Sequence, residues 1–254
     1  MATISEIRNF IDSFAPYDSA EEWDNSGLLL GRGDREVKRV VVALDVTEQV
    51  VEEAVEAGAD LILTHHPYLF SPVKRITDET AQGKLLLKAA EEKIALLCAH
   101  TNLDIAQEGI NALLCEMLEI RTNPEPIPFL TGVLLRETTL KDFLKTVQET
   151  LCCYGLKYTG DLDSEVKNIS VCSGSGSSFL QEAAEKGADV LLTSDAKYHD
   201  HQQAAQLGIA LIDAGHFETE RIVCPVLVKK IKERFPEITV WESQRHQGFY
   251  RYFS

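Results

Sequence analysis

The chain has 254 residues, a formal net charge of −15 and 44% hydrophobic residues, enough for one large domain or two modest ones with a sizeable core. So acidic a balance argues against nucleic acid as a partner, because that grip needs a basic face, and no apolar run approaches the roughly 20 residues that span a membrane. The opening Met1-Ala2-Thr3-Ile4-Ser5-Glu6 lacks the basic and apolar segments of a signal peptide, and the six cysteines (Cys98, Cys115, Cys152, Cys153, Cys172 and Cys224) contain no CxxC pair. A reducing, cytoplasmic home is expected.

Along the chain, Ile4–Phe14 carries apolar residues at a helical period, with Thr3 or Ser5 as N-cap. Trp23-Asp24-Asn25-Ser26-Gly27 reads as a turn into a strand. Strand Val40–Leu44, helix Glu48–Ala57 and strand Leu61–Thr64 follow, then helix Leu85–Glu92, a strand ending at Cys98 and helix Ile110–Leu118. Arg121–Pro128, with three prolines, marks a hinge. Thr138–Cys152 is amphipathic, with Thr138 or Thr139 as N-cap. Strand Ile169–Cys172, helix Phe179–Lys186, strands Val190–Thr193 and Ile209–Ile212 and helix Cys224–Phe235 come next. A weakly alternating tail, Thr239–Phe253, is expected to close a sheet.

An internal repeat organises these elements. Aligning Val37-Lys38 with Val166-Lys167 also brings together Val42 and Val171, Glu53-Ala54 and Glu182-Ala183, Glu56 and Glu185, Gly58-Ala59-Asp60 and Gly187-Ala188-Asp189, and Leu63-Thr64 and Leu192-Thr193. Further on, Lys93-Ile94-Ala95-Leu96 resembles Gly208-Ile209-Ala210-Leu211. The expected fold class is α/β: two similar α/β lobes from an internal duplication, with mixed or parallel sheets and helices on their faces. The first lobe is placed at residues 1–125, joined by the C-terminal 221–254, and the second at 126–220.

Three strand-like runs empty into ligand-type clusters: His65-His66 after Thr64, His100-Thr101-Asn102-Leu103-Asp104 after Cys98, and His216-Phe217-Glu218-Thr219-Glu220 after Ile212. In open α/β sheets ligands bind beyond the carboxyl ends of the strands. His65, His66, Asp104, His216 and Glu220 together suit a two-metal site in which one carboxylate bridges. His216 and Glu220 share one helix face at i, i+4. His100 suits a ligand, a partner of a ligand or a general acid/base, and spacing alone leaves these open.

Asp195-Ala196-Lys197-Tyr198-His199 occupies the place in the second repeat that His65-His66 occupy in the first. It offers Lys197 to an anion and His199 or Tyr198 to proton transfer, or it is a polar loop. Ser173-Gly174-Ser175-Gly176-Ser177-Ser178 lies between a strand and a helix. Its amides suit a phosphate, but the pattern is not a nucleotide fingerprint and a plain tight turn is the better reading.

Taken in order, Trp23-Asp24-Asn25-Ser26-Gly27-Leu28, Leu44-Asp45-Val46-Thr47, Thr64-His65-His66-Pro67, His100-Thr101-Asn102-Leu103-Asp104 and Gly215-His216-Phe217-Glu218-Thr219-Glu220 resemble the NIF-three-like dinuclear-metal hexamer family, also called GTP cyclohydrolase I type 2 homologues. The resemblance runs over nearly the whole chain. It implies two lobes around a cleft, a toroidal homohexamer and two divalent ions per subunit held by His65, His66, Asp104, His216 and Glu220, with Glu220 as bridge. Mixed histidine and carboxylate ligands suit zinc, manganese, iron or nickel. The function it implies is metal-dependent hydrolysis that opens the guanine ring of GTP, with a nucleotide as small-molecule substrate and His100 or His199 moving protons. The alternatives are a metal-handling or metal-chaperone protein and a scaffold or regulatory protein with structural metals.

Overall fold

The computed structural model describes residues 2–122, 127–251 and 253. The chain forms two compact units. The first comprises Met1–Leu103 with Val223–Gln247, the second Asp104–Ile222 with Gly248–Ser254. The division falls between Leu103 and Asp104, not at the proline-rich segment near 125. Residues 123–126 of that expected hinge lie outside the described residues. Among the described residues no helix is long and apolar enough to cross a membrane.

In the first unit, helix α1 (Ile4–Asp12) begins with a capping box: Glu6 N donates to Thr3 Oγ1 (3.2 Å) and Thr3 N donates to Glu6 Oε2 (2.7 Å). Thr3, not Ser5, is the cap. The sheet contains β1 (Gly27–Leu30), β2 (Arg39–Ala43), β3 (Leu61–Thr64), β4 (Ala95–Cys98) and β11 (Thr239–Glu242), in the order β1-β4-β3-β2-β11. β1 is antiparallel to β4, and the other pairs are parallel. Among the described residues of its segment, the expected closing strand is thus confined to the first four. Helices α2 (Glu48–Ala57) and α3 (Ala81–Glu91) bury Val50, Val51, Ala54, Leu86 and Ala89 against Val41, Ile62 and Leu96 of one sheet face. β3, β4 and β2 beyond the exposed Arg39 are fully buried and read as continuous apolar runs because both faces are covered. Helix α10 (Val223–Arg234) packs on β11 and β2. A short helix, α4 (Thr101–Asp104), begins three residues beyond β4.

The second unit carries α5 (Ile110–Met117), β5 (Ile120–Thr122), β6 (Leu130–Thr139), α6 (Leu140–Leu151), β7 (Lys157–Thr159), β8 (Glu165–Val171), α7 (Leu180–Glu185), β9 (Val190–Thr193), α8 (Tyr198–Leu207), β10 (Ala210–Asp213) and α9 (His216–Glu220). Its sheet runs β5-β6-β8-β9-β10-β7, parallel between β8, β9 and β10 and antiparallel elsewhere. Both sheets are therefore mixed. β5, β6 and β7 are strands with no counterpart among the expected elements. They lie on the antiparallel side of the sheet or at its edge, where half-exposed polar residues blur the pattern. α6 starts at Leu140 because Thr139 Oγ1 accepts from Asp142 N (3.2 Å), which leaves Thr138 in β6.

The repeat corresponds to the same bonds in each unit. Asp60 Oδ2 accepts from Lys38 N (2.8 Å) and Arg39 N (3.1 Å). Asp189 Oδ2 accepts from Lys167 N (2.9 Å) and Asn168 N (2.7 Å). At the other strand ends, Ala99 N donates to Thr64 O (3.0 Å) and Ala214 N to Thr193 O (2.9 Å). Each β-α-β unit thus has a carboxylate pinning its strand starts and a backbone bond at its strand ends, beside the ligand-type clusters.

Candidate metal centre

In the first unit, the turn after β3 is closed by Thr64 Oγ1 donating to His66 O (2.8 Å) and His66 N donating to Leu44 O (3.0 Å). His65 is fully buried, and its Nδ1 lies 2.8 Å from Ala99 O. A carbonyl only accepts, so Nδ1 carries a proton and the ring turns Nε2 away from Ala99. His66 Nδ1 lies 2.8 Å from Asp45 Oδ1 and His100 Nδ1 lies 2.8 Å from Asp24 Oδ1. The same geometry turns Nε2 of each of those rings away from its carboxylate. His65, His66 and His100 each offer a ligand atom, and the three atoms lie within 4.8 Å of one another.

Asp24 organises this cluster. Its buried carboxylate accepts from His100, from Thr101 N (3.1 Å), from Thr101 Oγ1 (2.6 Å) and from Ser26 Oγ (2.7 Å). Burial alone pushes the acid up. The hydrogen bonds from His100, Thr101 and Ser26 outweigh it and hold the carboxyl well below the ordinary range. The nearby Cys98 thiol is pushed up to about 12 by burial, so it is an inert core group rather than a thiolate ligand.

In the second unit, Gly215 (φ 88°) is the N-cap of α9 and sets His216 and Glu220 one turn apart. His216 Nε2 lies 3.0 Å from Glu220 Oε2, and His216 Nδ1 lies 2.7 Å from Asp195 Oδ2. Asp195 adopts a left-handed φ of 54°, a conformation that costs energy for a residue with a Cβ but is more tolerable for Asp than for most. Asp213, at the end of β10, joins the two loops: it accepts from Ala196 N (3.2 Å) and Gly215 N (3.2 Å) and pairs with Lys157 Nζ (2.6 Å). Asp104 Oδ1 accepts from Ser173 Oγ (3.3 Å).

The Ser173–Ser178 segment does not offer a phosphate cradle. Ser173 N donates to Asn111 Oδ1 (2.7 Å), Gly174 N to Thr219 Oγ1 (3.3 Å) and Gly176 N to Thr193 Oγ1 (2.8 Å). The turn instead lets backbone approach a carboxylate: at Gly174 (φ 60°) an added Cβ would collide with Glu220 Oε1. Lys197, Tyr198 and His199 are exposed at the start of α8, where His199 Nδ1 faces Gln202 Oε1 at 3.2 Å.

The donor set fits a divalent ion. Imidazole nitrogens with their far sides fixed on carbonyls and carboxylates, beside a carboxylate on the next helical turn, are how proteins present ligands to zinc and similar metals. His216 has a carboxylate at each ring nitrogen, and a cation would be shared between its Nε2 and Glu220. Sequence reasoning named the ligand-type residues but not their anchors. Asp24 and Asp45 stand alone in turns, and no periodicity relates them to histidines 76 and 21 residues away.

A family model described as Duf34/NIF3 (NGG1p interacting factor 3) matches residues 2–248. A Clostridium perfringens protein named GTP cyclohydrolase 1 type 2 homolog is 36% identical over 91% of this chain and 92% of its own length. The crystal structure of a Staphylococcus aureus hypothetical protein superposes with a TM-score of 0.91 at 26% identity, covering 99% of each chain. A Bacillus cereus protein described as related to NIF3 superposes with a TM-score of 0.90 at 25% identity, again over 99% of each chain. The chain belongs to the Duf34/NIF3 family.

Proposed function

We propose that this chain is a dinuclear, metal-dependent hydrolase of the GTP cyclohydrolase type. His65, His66, Asp104, His216 and Glu220 would hold two divalent ions. One observation carries the reading: His65, His66, His100 and His216 each turn Nδ1 onto a carbonyl or carboxylate, the orienting contact that metal-ligating histidines make behind the ion. The name borne by relatives such as the Clostridium perfringens protein supports a guanine nucleotide as substrate. Zinc, manganese, iron and nickel all suit the ligand set. The assembly is a homohexamer in the cytoplasm.

When bound, two such ions make a nucleophile from water at neutral pH and polarise the atom it attacks. The chain's own groups do the rest. Asp24 holds His100 in the tautomer whose Nε2 accepts a proton. Asp45 and Asp195 hold His66 and His216 in the matching tautomer. Exposed His199 bonds within its own helix, so His100 is the better proton carrier.

The test is turnover of GTP and related nucleotides by metal-loaded protein, alongside metal content by mass spectrometry and the Glu220→Gln variant. Near two ions per chain, nucleotide turnover, and loss of both in the variant are expected. Two firmly held ions with no turnover over a broad nucleotide panel would overturn the hydrolase reading and leave the metal centre. Readily exchanged ions would favour metal handling instead.

A further inference from the structure

Two large aromatic side chains stand in water beside the histidine cluster of the first unit. Trp23 is 57% exposed and Phe70 is 52% exposed. Their ring centroids are 5.7 Å apart and the planes are inclined by 41°, so they form an open wedge rather than a stacked pair. Both rings meet His100 edge-on, at 6.1 Å for Trp23 and 6.3 Å for Phe70. His100 in turn lies 5.1 Å from the His65 ring and 5.6 Å from the His66 ring.

The backbone beneath the wedge is fixed although the rings are exposed. Asp24, next to Trp23, takes five hydrogen bonds. Asn25 Nδ2 donates to Leu69 O, joining the residue two beyond Trp23 to the one before Phe70. The backbone that carries the rings is therefore held in position ahead of any ligand, which reduces the ordering cost of binding.

We propose that Trp23 and Phe70 form a stacking platform that takes the planar heteroaromatic ring of a small molecule and delivers it to His100 and its neighbouring histidines. An inclined pair of aromatic faces with an imidazole edge at its base matches a flat π-system, whose faces stack and whose edge nitrogens and oxygens meet polar groups. An aliphatic chain gains only apolar burial and no stacking from the ring planes, and the charge of −15 repels a nucleic-acid strand. The inference borrows from the proposed hydrolase only the position of its site, because ring capture and turnover are separate events.

The chain has two tryptophans, Trp23 and Trp241, so Trp241→Phe leaves Trp23 as sole reporter. Guanosine, added to metal-loaded and to chelator-treated protein, is expected to quench Trp23 emission saturably, while ribose 5-phosphate does not. Calorimetry on the otherwise unaltered chain is expected to show guanosine binding weakened about tenfold by Phe70→Ala and by Trp23→Ala, and largely kept by Trp23→Phe. Absence of saturable guanosine binding, or unchanged binding in both alanine variants, would overturn the platform. Inaccessibility of Trp23 to acrylamide in the native assembly would also overturn it and assign the pair to an interface between copies. Guanosine binding without GTP turnover keeps the platform and sinks the hydrolase.

Discussion

Asp195 reaches His216 Nδ1 at 2.7 Å from a backbone held at a φ of 54°. The strained residue and the helix-start histidine are 21 positions apart, and Asp213 ties both of their loops through Ala196 N and Gly215 N. Backbone strain at this point orients an imidazole.

Asp195→Asn separates positioning from folding. Asn tolerates the left-handed region and nearly matches Asp in volume, but it loses the charge that fixes the His216 tautomer. Zinc affinity measured by calorimetry is expected to fall about 10- to 100-fold. Stability to urea should change by about 0.5 kcal/mol or less. A stability loss with unaltered affinity would show that Asp195 serves the loop rather than the ligand.

Asp24 predicts an acid sensitivity. Its folded-state acid is depressed, because hydrogen bonds from His100, Thr101 and Ser26 outweigh burial. A depressed carboxyl contributes stability that is fully present above its unfolded value near 3.9 and is lost as pH falls through the folded value. Asp24→Asn is expected to cost about 2 kcal/mol at pH 7 and to remove part of the decline below about pH 4. Urea midpoints at pH 7 and pH 3 measure both. Parallel pH slopes for the two proteins would refute the assignment.

Gly174 and Gly187 form a matched pair. Both have positive φ, 60° and 76°, but an added Cβ strikes Glu220 at Gly174 and meets open space at Gly187. Gly187→Ala is expected to lose about 1 kcal/mol, the strain alone. Gly174→Ala should lose more and should also weaken metal uptake, because Glu220 must move. Denaturation curves with metal content for each variant test this. Equal losses with metal uptake intact would mean that Glu220 has room to yield.

How far the sequence carried depended on burial. β3 and β9, covered on both faces, coincide with the apolar runs Leu61–Thr64 and Val190–Thr193 residue for residue. α2 matches its expected span because Thr47 caps it and Gly58 ends it at a φ of 64°. β6 escaped notice because Gly132 breaks its alternation and Arg136, Glu137 and the threonines give it a polar end. The ligand-type residues were legible because each cluster follows an apolar run. The carboxylates behind them were not, because an Asp in a turn has many local uses and the partner that gives it meaning is set only by tertiary packing.

The paired clamps, Asp60 on Lys38 and Arg39 and Asp189 on Lys167 and Asn168, sit at the quiet ends of their strands. A strand displaced by one residue presents every side chain to the opposite face. With the start of β3 locked beside β2, Thr64 must arrive opposite Ala43, and the chain leaves the sheet with His65 turned inward and His66 turned towards Asp45. The same lock at β8 and β9 settles where Ser194 and Asp195 emerge. Each aspartate works as a ruler's zero mark: it touches none of the ligand-type side chains, yet the distance along the strand to those that follow it is counted from it.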